Sequence, residues 1–175
     1  MTTPDGRPRP DAPAWSAGSS DGQAGVRNLD QKRHLVQLAA LAVGATFVLV
    51  GILGFMPGIV THYSEMKFAG PHSDAMLVGL FCVSVLHNIV HLIFGVLGVL
   101  ASRATSSAEA FLIGGGGVYL ILAFYGSLVD YGSKTNFVPV NTADNWLHLV
   151  LGVGMIALGG LLGQRLLAKP GVRRQ

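Results

Sequence analysis

Long apolar runs alternate with short polar stretches along the chain, and their spacing predicts helices that cross a membrane. The first run, residues 35–56, carries no formal charge, and Pro57-Gly58 stops it. As a helix it is long enough to cross about 30 Å of hydrocarbon. The next stretch holds His62, Glu65, Lys67, His72 and Asp74, and predicts a polar loop. Residues 75–101 are then predominantly apolar for 27 positions, long for one helix unless it tilts or projects. Two starts are open for this second span. It begins either near Ala75 or near Ser84, a good N-cap, with residues 77–83 then extended at the membrane surface. Arg103, Thr105, Ser106 and Ser107 form a polar turn, and the third span follows at 108–130. A loop with Asp130, Lys134, Asn136 and Asn141 leads to a fourth span at 142–167, and a basic tail, 168–175, ends the sequence.

Two of these runs open on related words. Residues 84–95 read Ser-Val-Leu-His-Asn-Ile-Val-His-Leu-Ile-Phe-Gly, and residues 141–152 read Asn-Thr-Ala-Asp-Asn-Trp-Leu-His-Leu-Val-Leu-Gly. Aligned without gaps, Ser84 falls on Asn141, His87 on Asp144, Asn88 on Asn145, His91 on His148 and Gly95 on Gly152. Each copy begins with a cap-type residue and places Asn and His three apart, on one helical face. Pro139, just before Asn141, is incompatible with a helix interior and so favours the later start for the second span by analogy. A hairpin duplicated in the same orientation gives parallel halves related by an axis along the membrane normal. His91 and His148 are then expected at similar depths, facing one another across that axis.

Composition agrees with a lipid solvent: half of the 175 residues are hydrophobic and only 12% are charged. Residues 1–33 differ. They are rich in Pro, Gly, Ser, Asp and Arg, with Trp15 the only large apolar side chain before Val26, and they predict a disordered tail rather than a secretory signal. The expected fold is therefore all-α: a four-span transmembrane bundle, 34–167, of two parallel helix-hairpin repeats behind a disordered N-terminal tail. The net charge of +3 does not point to nucleic acid, because the basic residues sit at the ends of the apolar runs. Arg27, Lys32, Arg33, Arg103, Arg165 and Lys169 flank one side of the predicted spans, against only Lys67 and Lys134 on the other. The excess of positive charge places both termini in the cytoplasm, in a multi-pass protein of the cytoplasmic (inner) membrane.

The words that open the second and fourth spans also resemble a known family. The run from Leu86 to Gly98, Leu-His-Asn-Ile-Val-His-Leu-Ile-Phe-Gly-Val-Leu-Gly, and the later Asp144-Asn-Trp-Leu-His-Leu-Val-Leu-Gly152 resemble the bacterial, mainly actinobacterial, membrane proteins catalogued as domain of unknown function 4383. The family often has Asn-Pro where this chain has Ser84-Val85. The resemblance covers about residues 34–167 and implies a small four-span membrane protein; it implies no activity.

Candidate chemistry centres on the histidines. His87 and His91 are four apart on one helix, a spacing that suits a metal ion; His148 offers a third imidazole, and Asp144 and Cys82 are candidate additions. Two apposed histidines also suit the axial positions of haem. The competing expectation is structural: Ser84, Asn88, His91, Asn141, Asp144, Asn145 and His148 form a polar clasp where two helices begin, with Asn141 and Asp144 as a capping-box pair. Gly95, Gly98, Gly152 and Gly159, and the run Gly114, Gly115, Gly116 and Gly117, are expected to allow close helix packing. The glycine run is not a phosphate loop, since no Gly-Lys-Ser/Thr follows, and neither Gly-x-Ser-x-Gly nor His-Glu-x-x-His occurs. The function expected from these features is that of a non-catalytic accessory or scaffolding subunit, its partners the lipid bilayer and other membrane-protein subunits. The alternatives are a haem- or metal-binding redox protein and a small-solute carrier or channel.

Overall fold

A computed structural model describes residues 19–163 of the protein. Expectations for residues 1–18, Trp15 among them, and for the basic tail lie outside the described residues. Within them the chain forms α1 (Ser19–Leu53), β1 (Val60–Thr61), β2 (Met76–Leu77), β3 (Phe81–Cys82), α2 (Val85–Ala101), α3 (Thr105–Leu128) and α4 (Thr142–Leu162). Three helical segments, Gly25–Leu53, Thr105–Leu128 and Thr142–Leu162, are long and apolar enough to cross a membrane. The protein is a membrane protein built on apolar helices. α2, with 17 residues, covers only about 25 Å.

One boundary differs from expectation, and the open start of the second helix is resolved in favour of Ser84. α1 begins at Ser19, so residues 19–33 are helical where a disordered tail was expected. Once an apolar run has formed a helix, each further turn avoids the unfavourable nucleation step, and polar residues then continue it readily. Arg33 and Asp30, 3.8 Å apart on this extension, are too exposed to add much. The second helix starts after Ser84, whose hydroxyl accepts from the His87 N–H at 3.1 Å. Among the described residues α4 ends at Leu162, because Gly163 leaves helical geometry (φ −70°, ψ 158°); the expected stretch to 167 lies outside them.

Small residues set how the helices meet. α1 packs along α2, and α3 along α4, as two antiparallel pairs. Where α1 crosses α2, a Cβ on Gly44 would lie 2.6–2.8 Å from the backbone at Gly95, Gly98 and Val99, so the two backbones touch directly. Where α3 crosses α4, Gly116 meets the backbone at Gly152 and Ile156 in the same manner. Gly95, Gly98, Gly115, Gly152 and Gly159 are likewise packed against side chains or backbone. Gly114 and Gly117 are a correction: nothing lies within 4 Å of either, because a run of four residues spans more than a full helical turn and two of them must face outward. The shared core of the two pairs is Val36, Ala40, Phe47, Ala108, Leu112, Tyr119 and Met155.

A feature that the sequence pattern did not suggest covers one end of the bundle. β1, β2 and β3 form an antiparallel sheet of two-residue strands, with Val60 opposite Leu77 and Met76 opposite Cys82. Val60, Ala75, Leu77 and Val83 make a second small core against Val50 and Leu53 of α1. The β2–β3 turn puts Val78 (φ 48°) and Gly79 (φ 70°) in the left-handed region, which is unfavourable for a β-branched residue.

Candidate functional site: a histidine-walled cavity between the first and fourth helices

The polar residues at the starts of α2 and α4 divide into two groups, and only one of them forms a clasp. Asn88, fully buried, donates from Nδ2 to the Gly54 carbonyl at 2.7 Å, with its amide oxygen against Gly54 itself. Asn145 packs its amide against Gly126 and donates to the Tyr131 hydroxyl at 2.8 Å. Asn141 and Asp144 form a reciprocal capping box at the start of α4. The Asp144 carboxylate also accepts from the Cys82 N–H at 3.1 Å, and Asn141 donates to the Leu80 carbonyl at 2.9 Å. These bonds tie the β2–β3 turn to α4. Asp130, on the same rim, accepts from the Gly132 N–H in a local turn.

The histidines do something else. His87 sits edge-on to His91 with ring centroids 4.5 Å apart and lies 6.4 Å from His148. Tyr119 of α3 approaches His148 at 5.3 Å, and Phe47 of α1 stacks on both His91 (5.6 Å) and Tyr119 (5.2 Å). The Pro139 backbone is a polar neighbour of the His87 ring outside the three histidines. In contrast, His91 and His148, expected in the clasp, have no hydrogen-bond partner among the described residues, and Nδ1 of all three rings is buried and unpaired. Leaving such groups unpaired in the interior is unfavourable, so their arrangement calls for an explanation other than clasping.

All three rings line one cavity of about 470 Å³. Its walls are Val43, Phe47 and Val50 of α1, and Leu147 and Leu151 of α4; Tyr119 and the histidines form the inner face, and Leu77, Val78 and Phe81 cover the end. The lining residues Ala42 and Thr46 of α1, Leu147 of α4 and Val78 are themselves exposed, so the mouth opens sideways between α1 and α4. No Lys or Arg lines the cavity. Cys82 lies at its covered end, and burial, with the Asp144 carboxylate beside it, pushes its thiol above the ordinary range. Among the described residues, no three His, Cys, Asp or Glu side chains are placed to share a metal ion.

Residues 37–161 match the model of a family described as a domain of unknown function, DUF4383. The chain belongs to that family. The matched region holds every residue of the cavity, from Ala42 to Leu151, together with both Asn/His words. No curated protein and no solved structure matches the chain. In this DUF4383 protein the sequence pattern singled out the histidines but not Phe47 or Tyr119. Phe47 is one apolar residue in an apolar run and carries no signal; Tyr119, a hydroxyl-bearing ring deep in a span and three residues from Gly116, does.

Proposed function

We propose that this DUF4383 protein is a non-catalytic protein of the cytoplasmic membrane that binds a small, membrane-soluble molecule in the cavity between α1 and α4. One observation carries the proposal: imidazoles whose Nδ1 atoms are buried and unpaired stand at the inner end of an apolar cavity whose mouth opens sideways, toward lipid. A site of this shape, largely apolar with a few convergent polar groups, suits an apolar ligand held at one polar end. In the proposed topology all four helices span, both termini are cytoplasmic, and the sheet lies on the outer side over the short α2. The distribution of Arg27, Lys32, Arg33 and Arg103 against Lys67 and Lys134 supports that orientation. Corresponding contacts in the two helix pairs support an origin in parallel repeats: Gly54 with Asn88 and Gly126 with Asn145, Gly44 with Gly95 and Gly116 with Gly152, Phe47 with His91 and Tyr119 with His148.

Titration of the detergent-purified full chain with an apolar environment-sensitive fluorophore tests the binding role. One saturable site that Val43→Trp abolishes is expected; unsaturable partitioning that Val43→Trp leaves unchanged refutes it. A visible haem spectrum in the same preparation would restore the redox reading in its place. A second reading, an accessory subunit in a larger membrane complex, is favoured by Gly114 and Gly117 on α3 and Gly154 on α4, small residues that face open space where another helix can approach closely. Cysteines placed at 114 and 117 should cross-link to a partner in host membranes if it is correct.

A further inference from the structure

We infer that the cavity receives the head of a quinone-type molecule, a planar ring bearing carbonyl oxygens on a hydrocarbon tail, an assignment that rests on the binding role proposed above. Hydrogen-bond accounting leads to the head group. A neutral imidazole has one N–H and one bare nitrogen. In His87 the Nδ1 atom is buried and unpaired. In His91 and His148 the buried Nδ1 is also without a partner, and an orphaned N–H is rarer in folded proteins than an orphaned acceptor. The proton therefore sits on Nε2 in both rings. Nε2 has no hydrogen bond among the described residues and is not one of the sealed, unpaired atoms, so these rings turn an N–H toward the cavity that they line. The Tyr119 hydroxyl, also without a partner among the described residues, adds a third donor at the same wall.

Donors without acceptors select a ligand that brings acceptors. An anionic head is disfavoured, because no Lys or Arg lines the cavity and the Asp144 carboxylate does. A neutral carbonyl meets the requirement. Phe47 stacks on Tyr119, 10° apart, and on His91, 27° apart, so this wall offers the edges of a ring stack, against which a flat ring packs edge-to-face. About 470 Å³ is room for such a ring and the start of a tail, and the mouth between Thr46 and Leu147 lets the tail leave toward lipid.

The test uses the full chain in nanodiscs and three probes competing for the same apolar fluorophore: 2-methyl-1,4-naphthoquinone with a short prenyl tail, the carbonyl-free naphthalene with the same tail, and an acyl ester of matched length. The quinone is expected to bind roughly tenfold tighter than the naphthalene, the increment of a hydrogen bond made in a dry site. His148→Phe, which keeps the ring and removes the donor, should erase that preference. Equal affinity of quinone and naphthalene in the unaltered protein overturns the inference while leaving a ligand-binding protein, and so does an ester that binds as tightly as the quinone. If none of the three displaces a saturably bound fluorophore, the quinone assignment fails; if the fluorophore itself only partitions without saturation, it is the binding role that fails.

Discussion

The contact between α1 and α2 is tight enough for one methyl group to be read as a structural probe. In Gly44→Ala the new Cβ would stand 2.6 Å from the Val99 nitrogen and 2.8 Å from both the Gly95 oxygen and the Gly98 carbonyl carbon. All three are backbone atoms of a helix, so no side chain can swing aside. Restoring ordinary contact requires α1 and α2 to part by about 0.6–0.8 Å, which forfeits a quarter to a half of the dispersion attraction at each affected contact along the seam. Overpacking of this kind typically costs about 1–3 kcal/mol, and the higher helix propensity of alanine returns up to about 1 kcal/mol. The net expectation is a loss of about 1–2 kcal/mol. Gly114→Ala supplies the control, because nothing lies within 4 Å of it and only the propensity gain applies, about 0.5–1 kcal/mol in the stabilising direction. Unfolding of both variants in mild detergent, by heat and by SDS titration with circular dichroism, measures the difference directly. If Gly44→Ala is as stable as the unaltered protein while Gly114→Ala is the one that loses stability, the helix contacts derived above are wrong.

Other consequences follow from the covered end of the bundle. Asn88→Ala leaves the buried Gly54 carbonyl without its donor and should lower unfolding free energy by about 1–3 kcal/mol, toward the lower end because the Asn88 amide oxygen is itself unpaired; the same melts check it. Val78→Asn places at φ 48° a residue that tolerates the left-handed region, and should raise stability by about 1 kcal/mol if the turn does nothing else; a drop would mean that the valine side chain is needed at the cavity mouth. The raised pKa of Cys82 means that a smaller thiolate fraction is present at any given pH than in an ordinary cysteine. Its rate of alkylation by iodoacetamide should therefore lag behind that of a reference cysteine in a Cys82→Ser/Ser64→Cys variant and begin to climb only at higher pH; equal rates near neutrality would contradict the burial assigned to it. His148→Phe should cost less stability than Asn88→Ala, since no hydrogen bond is broken, and this ranking separates a ligand-facing histidine from a clasping one.

By itself the sequence determined that the chain lives in a membrane, the approximate extents of its apolar helices, the family, and the capping residues at the starts of α2 and α4. These follow from local physics: apolar length against bilayer thickness, and Ser or Asn side chains that reach a backbone N–H three residues on. It also singled out the two Asn/His words as the chemically unusual part. What it could not decide was the different fate of the Asn and the His in each word. Both lie on one helical face, and only the neighbours distinguish them. Asn88 and Asn145 meet glycines that lie far away in sequence, and their amides close on the adjoining helix. His91 and His148 meet instead a wall built from Phe47 and Tyr119, and neither ring is hydrogen-bonded among the described residues. The helical extension of α1 and the small sheet were hidden for a related reason: polar residues continue a helix that an apolar span has already nucleated, and two-residue strands are too short to show a period. Whether a buried histidine is a clasp or a ligand contact depends on which helices cross beside it, and that crossing was decided by tertiary packing alone.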